Sequence, residues 1–534
     1  MTVSLKFCGA ARTVTGSCFW FRTPVGQFLV DCGLFQGTKT LKQLNYDRFP
    51  FDPKEIDFVL VTHAHIDHAG LLPKLCKLGF SGPIYLTPGS ADLLSFMLPD
   101  SGYIQEMEVR YLNERNQRRG KPTVAPIYTK QDGESCPRQF KTIDYESWAT
   151  IKAGLRVRFW NAGHILGSAS IELELADDAA DGGVLRLLFS GDLGPDHKLF
   201  HPDPTAASDF DYVICETTYG GRTRAHAGGV KRRALLAREV TAALANDGIL
   251  LIPSFAVERT QELLADLSQL QARGTIPAVP IFVDSPLAIR ATEAFERHAD
   301  ELEGLDATAN LFDNSNIRFT EAVEQSKAIN RISGGAIIMA ASGMCDAGRI
   351  RHHLKARLWN AKTTVLIVGY MAEGTLGRLL LEGRKMVRIQ GQELQVRAKI
   401  RKIDAYSGHA DHGELLAWLR DRRPITRGVF LVHGEEQKAR AMQSALGEAG
   451  FDSDKIFLPS MDDEIELLSG KRSQLIKAAQ PRLAPEAVPG LDWHNTLAQF
   501  QIDARQALEA APDRAAKAAL LRRLRRVLDD AGNP

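Results

Sequence analysis

The stretch Val61–Gly70, VTHAHIDHAG, sets three histidines and an aspartate into six positions directly after the apolar run Phe58-Val59-Leu60. A short buried run that delivers imidazoles and a carboxylate at its C-terminal end is how an α/β sheet builds a site. Alternate residues of an extended segment point the same way. His63 and His65 can therefore grip one metal ion, while the following turn aims Asp67 and His68 at a second. A histidine-rich surface turn is the alternative. It suits a lone histidine better than this spacing.

The run alone supplies too few ligands for two ions. Polar residues that end other apolar runs complete the set. They are His164 in FWNAGHILGSAS, Asp192 in LFSGDLG and His433 in VFLVHGEE. A carboxylate has two oxygens and can bridge, which selects Asp192. The expected arrangement is His63, His65, His164 and Asp192 on one zinc, with Asp67, His68, Asp192 and His433 on the other. Two such ions sit about 3.5–4 Å apart. Histidines 197, 201, 226, 298, 352, 353, 412 and 494 lack this context and are expected at the surface, His412 being ambiguous through its closeness to His409.

At 534 residues the chain exceeds one ordinary core. Residues 1–216 read as strands alternating with loops, and the polar stretch from about 100 to 135 as a helical excursion. Residues 217–397 switch to strand–helix units, the pattern of a doubly wound parallel sheet. Residues 398–470 return to ligand-bearing strand ends, which makes the middle segment an insertion. Residues 471–534 form a helical extension. Its apolar Leu520, Leu521, Leu524 and Leu528 alternate with arginines, reading as a capping or oligomerising helix, with contact to RNA as the alternative.

A formal net charge of +1 gives no global signature of a nucleic-acid partner, so any basic surface must be local. Seven scattered cysteines without a C-x-x-C pair point away from a disulfide framework and toward a reducing, cytoplasmic setting. Neither a secretory signal nor an apolar run of about 20 residues is visible, so no membrane span is expected.

Asp31, the H-x-H-x-D-H run, His164 and Asp192 resemble the successive motifs of the metallo-β-lactamase superfamily. CETTYG with Glu216, YSGHAD with His409 and LVHGE with His433 resemble motifs A, B and C of its β-CASP branch. GAARTVTGSCF, PSFAVERTQELL, ASGMCDAGR and VGYMAEGTLGRLLLEG are similar to that branch as well. The resemblance spans about residues 3 to 465. It implies an αββα sandwich carrying an inserted doubly wound parallel-sheet β-CASP domain, two zinc ions and single-stranded RNA as substrate. Histidine at motif C resembles the RNA-processing members, in particular relatives of the endonuclease subunit of mRNA cleavage and polyadenylation factor. The KH-like extension of archaeal relatives is not expected, because motifs begin within the first ten residues.

The roles that follow from the resemblance are His409 as general acid, Glu216 holding its other nitrogen, and Asp67 beside the metals. Asp31 is expected to orient the histidine loop rather than to ligate. Ser407, Arg222, Arg259, Arg349 and Arg378 are candidates for contacts to RNA, each with a solvated surface charge or turn as alternative. Backbone amides around Gly374–Gly377 or Ser407–Gly408 are candidate phosphate holders. A homodimer is expected from the resemblance alone. The expected activity is a zinc-dependent, endonucleolytic ribonuclease. A 5′→3′ exoribonuclease and a small-molecule thioesterase or lactonase are the alternatives.

Overall fold

The computed structural model describes residues 3–176, 183–224, 228–303, 314–369, 371, 375–467, 475–476, 480–483 and 493–531. Two sheets face each other. The first has eight strands in the order Leu475–Ile476, Glu464–Glu466, Ser4–Phe7, Phe19–Thr23, Gly26–Val30, Phe58–Leu60, Ile84–Leu86, Phe140–Thr142. The second has seven, in the order Ile456–Phe457, Ile425–Val432, Phe210–Glu216, Val184–Phe189, Ala169–Ala176, Leu155–Asn161, Trp148–Lys152.

Alternation decides which side of a strand is buried. Leu155, Val157 and Phe159 face inward, and the intervening arginines face out. Aromatic rings interlock between the sheets, Phe7 against Phe430 at 5.4 Å and Phe19 against Phe189 at 5.5 Å. Helices cover both outer faces. Leu72, Leu75, Leu93 and Leu94 pack over the first sheet. Leu415, Leu419, Met442 and Leu446 pack over the second. This is the expected αββα sandwich. The strands covered on both sides, such as Phe58–Leu60, are apolar throughout.

Between Glu216 and motif B lies a six-stranded sheet in the order Ile317–Phe319, Ile281–Val283, Ala336–Ala340, Ile249–Pro253, Thr363–Ile367, Lys399–Lys402, with every pairing parallel. Helices Gly229–Leu244 and Arg259–Ala272 cover one face, and Ile350–Arg357 and Leu376–Leu381 the other. The doubly wound reading of the insertion therefore holds, but its end does not. Lys399–Lys402 pairs with Thr363–Ile367, so the insertion's sheet runs past residue 397. The basic KIRK sequence hid a strand that sits at the sheet edge.

The excursion near residue 100 is the helix Pro88–Gln117, which starts earlier than expected and buries its first half against the sandwich. Helices Trp493–Ala510 and Arg514–Ala531 form the extension.

Candidate metal centre

Parallel pairing brings the site together. Gly26–Val30 lies beside Phe58–Leu60, and Val184–Phe189, Phe210–Glu216 and Ile425–Val432 run side by side. Parallel neighbours end at the same edge, so Asp31, His63, Asp192, Glu216 and His433 converge although hundreds of residues separate them. The segment after Asp31 clamps the histidine loop. Ser17, Cys32 and Leu34 donate backbone N–H groups to the carbonyls of Asp67, His68 and Ile66. A Cβ at Gly33 would stand 1.6 Å from the Asp67 oxygen, so only glycine permits this approach.

His63, His65, His164 and Asp192 form one group of converging ligand atoms, and Asp67, His68 and His433 another. Asp192 serves both. Its Oδ2 lies 3.5 Å from His63 Nε2 and 3.6 Å from His164 Nε2, while its Oδ1 lies 3.3 Å from His68 Nε2 and from His433 Nδ1. Asp192 Oδ1 is buried and has no hydrogen-bond partner.

Ring nitrogens face one another at 3.1 Å (His63 to His65, His164 to His65) and 3.2 Å (His68 to His433). Ligands about 2.0–2.1 Å from a tetrahedral ion stand about 3.3 Å apart. The residues thus fit divalent cations such as zinc.

Outer hydrogen bonds fix the rings. His164 Nδ1–H donates to the Gly408 carbonyl at 2.6 Å, and His68 Nδ1–H to Asp31 Oδ2 at 2.8 Å, each leaving Nε2 for the centre. Asp31 touches no other ligand atom of the clusters. Its Oδ1 accepts from the Thr62 backbone at 2.8 Å.

Burial lowers the pKa of His63 and His164, and pushes that of His65 down to about 4. For His68 and His433 burial acts the same way, but Asp192, with Asp31 or Asp67, outweighs it and raises both.

His409 stands beside this centre, its ring 4.6 Å from that of His164 and partly open to solvent. Its Nδ1 lies 3.2 Å from Glu216 Oε1. Glu216 is buried, and its carboxylate also accepts from the backbone of Leu193 and Thr218. Glu216 also groups with Asp192 and His433 as potential ligands. Ser407 accepts from the His409 backbone.

The candidate arginines separate. Arg259 lies at the site, buried; among the described residues its Nε and Nη1 have no hydrogen-bond partner, Nη1 stands 3.6 Å from Glu262 Oε2, and Nη2 is beside Gly408. Arg222 pairs with Asp404 on the surface. Arg378 pairs with Glu382 on the outer side of helix Leu376–Leu381. Arg349 is held by Asp284 at 2.7 Å and by the Thr320 and Glu321 carbonyls. Gly377 donates its N–H to Met344, so it offers nothing to a phosphate, and Gly374 lies outside the described residues.

Two histidines expected at the surface are buried. His353 pairs with Asp284 and His201 with Glu258. His226 lies outside the described residues.

Glu258 is the residue that sequence reading missed. It is buried, has φ of 72°, and binds Lys198 at 3.1 Å and His201 at 2.8 Å. Lys198 in turn donates to the His164 carbonyl. An insertion residue thereby grips the segment behind a candidate ligand. A glutamate in an apparent helix start, PSFAVERTQ, gave no signal of this.

Three family models match the chain: the metallo-beta-lactamase superfamily over residues 11–100, the Beta-Casp domain over 260–380, and the Zn-dependent metallo-hydrolase RNA specificity domain over 393–459. Ribonuclease TTHA0252 of Thermus thermophilus is 36% identical over 83% of this chain and 95% of that protein. Transcription termination factor FttA of Methanosarcina mazei is 29% identical over 83% of this chain and 69% of that protein. An RNase J-like protein of Methanocaldococcus jannaschii is 29% identical over 82% and 94%.

Proposed function

Because the chain belongs to the β-CASP branch of the metallo-β-lactamase superfamily, we propose that it is a metal-dependent ribonuclease. It hydrolyses phosphodiester bonds of single-stranded RNA where the insertion meets the sandwich, cutting endonucleolytically. The observation that carries this reading is the partly exposed His409, paired at 3.2 Å with the buried Glu216, beside a buried two-part ligand cluster. The ribonuclease among the relatives supports it.

His63, His65, His164 and Asp192 Oδ2 would hold one zinc ion, and Asp67, His68, His433 and Asp192 Oδ1 a second. When bound, such ions supply Lewis acidity toward a phosphate oxygen and make hydroxide accessible near neutral pH. Glu216 accepts from Nδ1–H of the acid form of His409 and so aims the ring. That leaves Nε2–H to protonate the departing 3′-oxygen. Asp67, beside His433, would help orient the attacking water. Arg259, whose Nη2 lies beside Gly408, would contact a neighbouring phosphate.

The test uses metal-loaded protein and single-stranded RNA labelled at its 5′ end, in 5′-monophosphate and 5′-triphosphate forms. Internal cuts independent of the 5′ group are expected. His409→Ala is expected to lower kcat by about 10²–10⁴-fold with metal content unchanged. Intact RNA with the unaltered protein would end the reading. A requirement for 5′-monophosphate with mononucleotide products would make the enzyme a 5′→3′ exonuclease instead.

A further inference from the structure

The matched family models end at residue 459, yet the chain continues into helices Trp493–Ala510 and Arg514–Ala531. The second helix is amphipathic. At 100° per residue, Leu520, Leu521 and Leu524 occupy one arc, and Arg514, Arg522, Arg523, Arg525 and Arg526 the opposite one. The two helices pack together, with Leu520 and Leu524 half-buried. All five arginines are exposed, and among the described residues none makes an ion pair or a side-chain hydrogen bond.

The charge is concentrated here. Residues 514–531 carry six basic and two acidic side chains, against 66 and 65 in the whole chain, so the remainder of the protein is net acidic. Five like charges on one face oppose pairing with a second copy of the same helix. They match a polyanion of regular spacing. Arg505 of the first helix binds Glu393 on the insertion at 2.7 Å, which ties the helical pair to the body of the protein.

We propose that the arginine face of helix Arg514–Ala531 is a docking surface for the phosphate backbone of single-stranded RNA outside the cleavage site. It holds long substrates and leaves the chemistry unchanged. The identity of the polyanion rests on the ribonuclease reading above.

The experiment compares the full chain with Arg522→Gln/Arg525→Gln/Arg526→Gln and with the corresponding triple lysine variant. Equilibrium binding of a fluorescent 30-nucleotide single-stranded RNA is measured from low to moderate salt. In the glutamine variant the Kd is expected to rise about tenfold or more, and the slope of log affinity on log salt to flatten by about 2, at about 0.7 per lost phosphate contact. The lysine variant keeps affinity and slope. Cleavage of a hexanucleotide is unchanged in both.

Unchanged RNA affinity and salt slope in the glutamine variant overturn the proposal. So does conversion of a dimer to a monomer in sedimentation with RNA binding intact, which would make the face a self-association surface. Binding is read separately from cleavage. If the unaltered protein binds RNA with the arginine-dependent slope but cuts none, the docking surface stands and the ribonuclease reading falls. If it cuts RNA and the slope is insensitive to the arginines, the reverse holds.

Discussion

Asp31 is fully buried, and both its oxygens are committed, one to the Thr62 backbone and the other to His68 Nδ1 at 2.8 Å. Asp31→Asn places an amide where a carboxylate accepts. The His68 ring then loses the partner that aims Nε2 at the centre. Metal affinity is expected to fall about 10–100-fold, read by chelator competition, with an unchanged circular dichroism spectrum. Unaltered affinity would mean that Asp31 serves the fold alone.

At this scale the candidate ligands were legible because metal chemistry restricts residue type, and parallel strands restrict position. Their outer partners were less so. His201 and His353 looked like surface histidines because their carboxylates, Glu258 and Asp284, lie 57 and 69 residues further along or back. No local spacing announces such a pair. Arg349 reads as a cleft cation beside a family-like motif, yet it serves the same Asp284.

The helix Arg259–Ala272 begins at Glu258, whose carboxylate crosses to the sandwich. Burial by itself would raise the Glu258 pKa, but His201 and Lys198 outweigh it and hold the group down at about 2, from 4.5. A carboxylate depressed by folding adds stability above its ordinary range, and that stability is lost as pH falls from about 4.5 toward 2. Glu258→Gln leaves the buried Lys198 ammonium without the carboxylate it pairs with and His201 without its partner. The expected cost at neutral pH is about 3–5 kcal/mol, measured by urea unfolding, and the gap to the unaltered protein narrows at pH values near 3. A gap independent of pH would assign the effect to packing.

Element boundaries were legible where apolar runs were long, as in Ile249–Pro253 and Ala336–Ala340. Lys399–Lys402 escaped because an edge strand needs little apolar character. The hairpin Met386–Ile389 to Gln392–Gln395 escaped because Gln390-Gly391, with φ of 49° and 84°, is a rare sequence for a two-residue turn.

Across the whole molecule the ligand cluster joins strand ends from Asp31 to His433, and Glu258 fastens the insertion to the same place. Cations bound there stabilise the folded chain in proportion to their affinity, and the two halves of the cluster respond differently to acid. Ligation requires neutral imidazole and releases any proton already held. His63, His65 and His164 are pushed down, His65 to about 4, so protons compete weakly above that pH. His68 and His433 are raised by their carboxylate neighbours, so protons compete there at higher pH. With one ion in each half, acidification from neutral pH should remove the ion at Asp67, His68 and His433 first. The ion at His63, His65 and His164 follows at lower pH. Metal content after equilibration at stepwise pH should fall in two stages. Calorimetry should show a matching two-stage loss of the Tm gained on metal addition, and Asp192→Asn should erase both stages, since its oxygens lie against both halves. Simultaneous loss of both ions would show that the bridging carboxylate, rather than the histidines on either side, sets the proton competition.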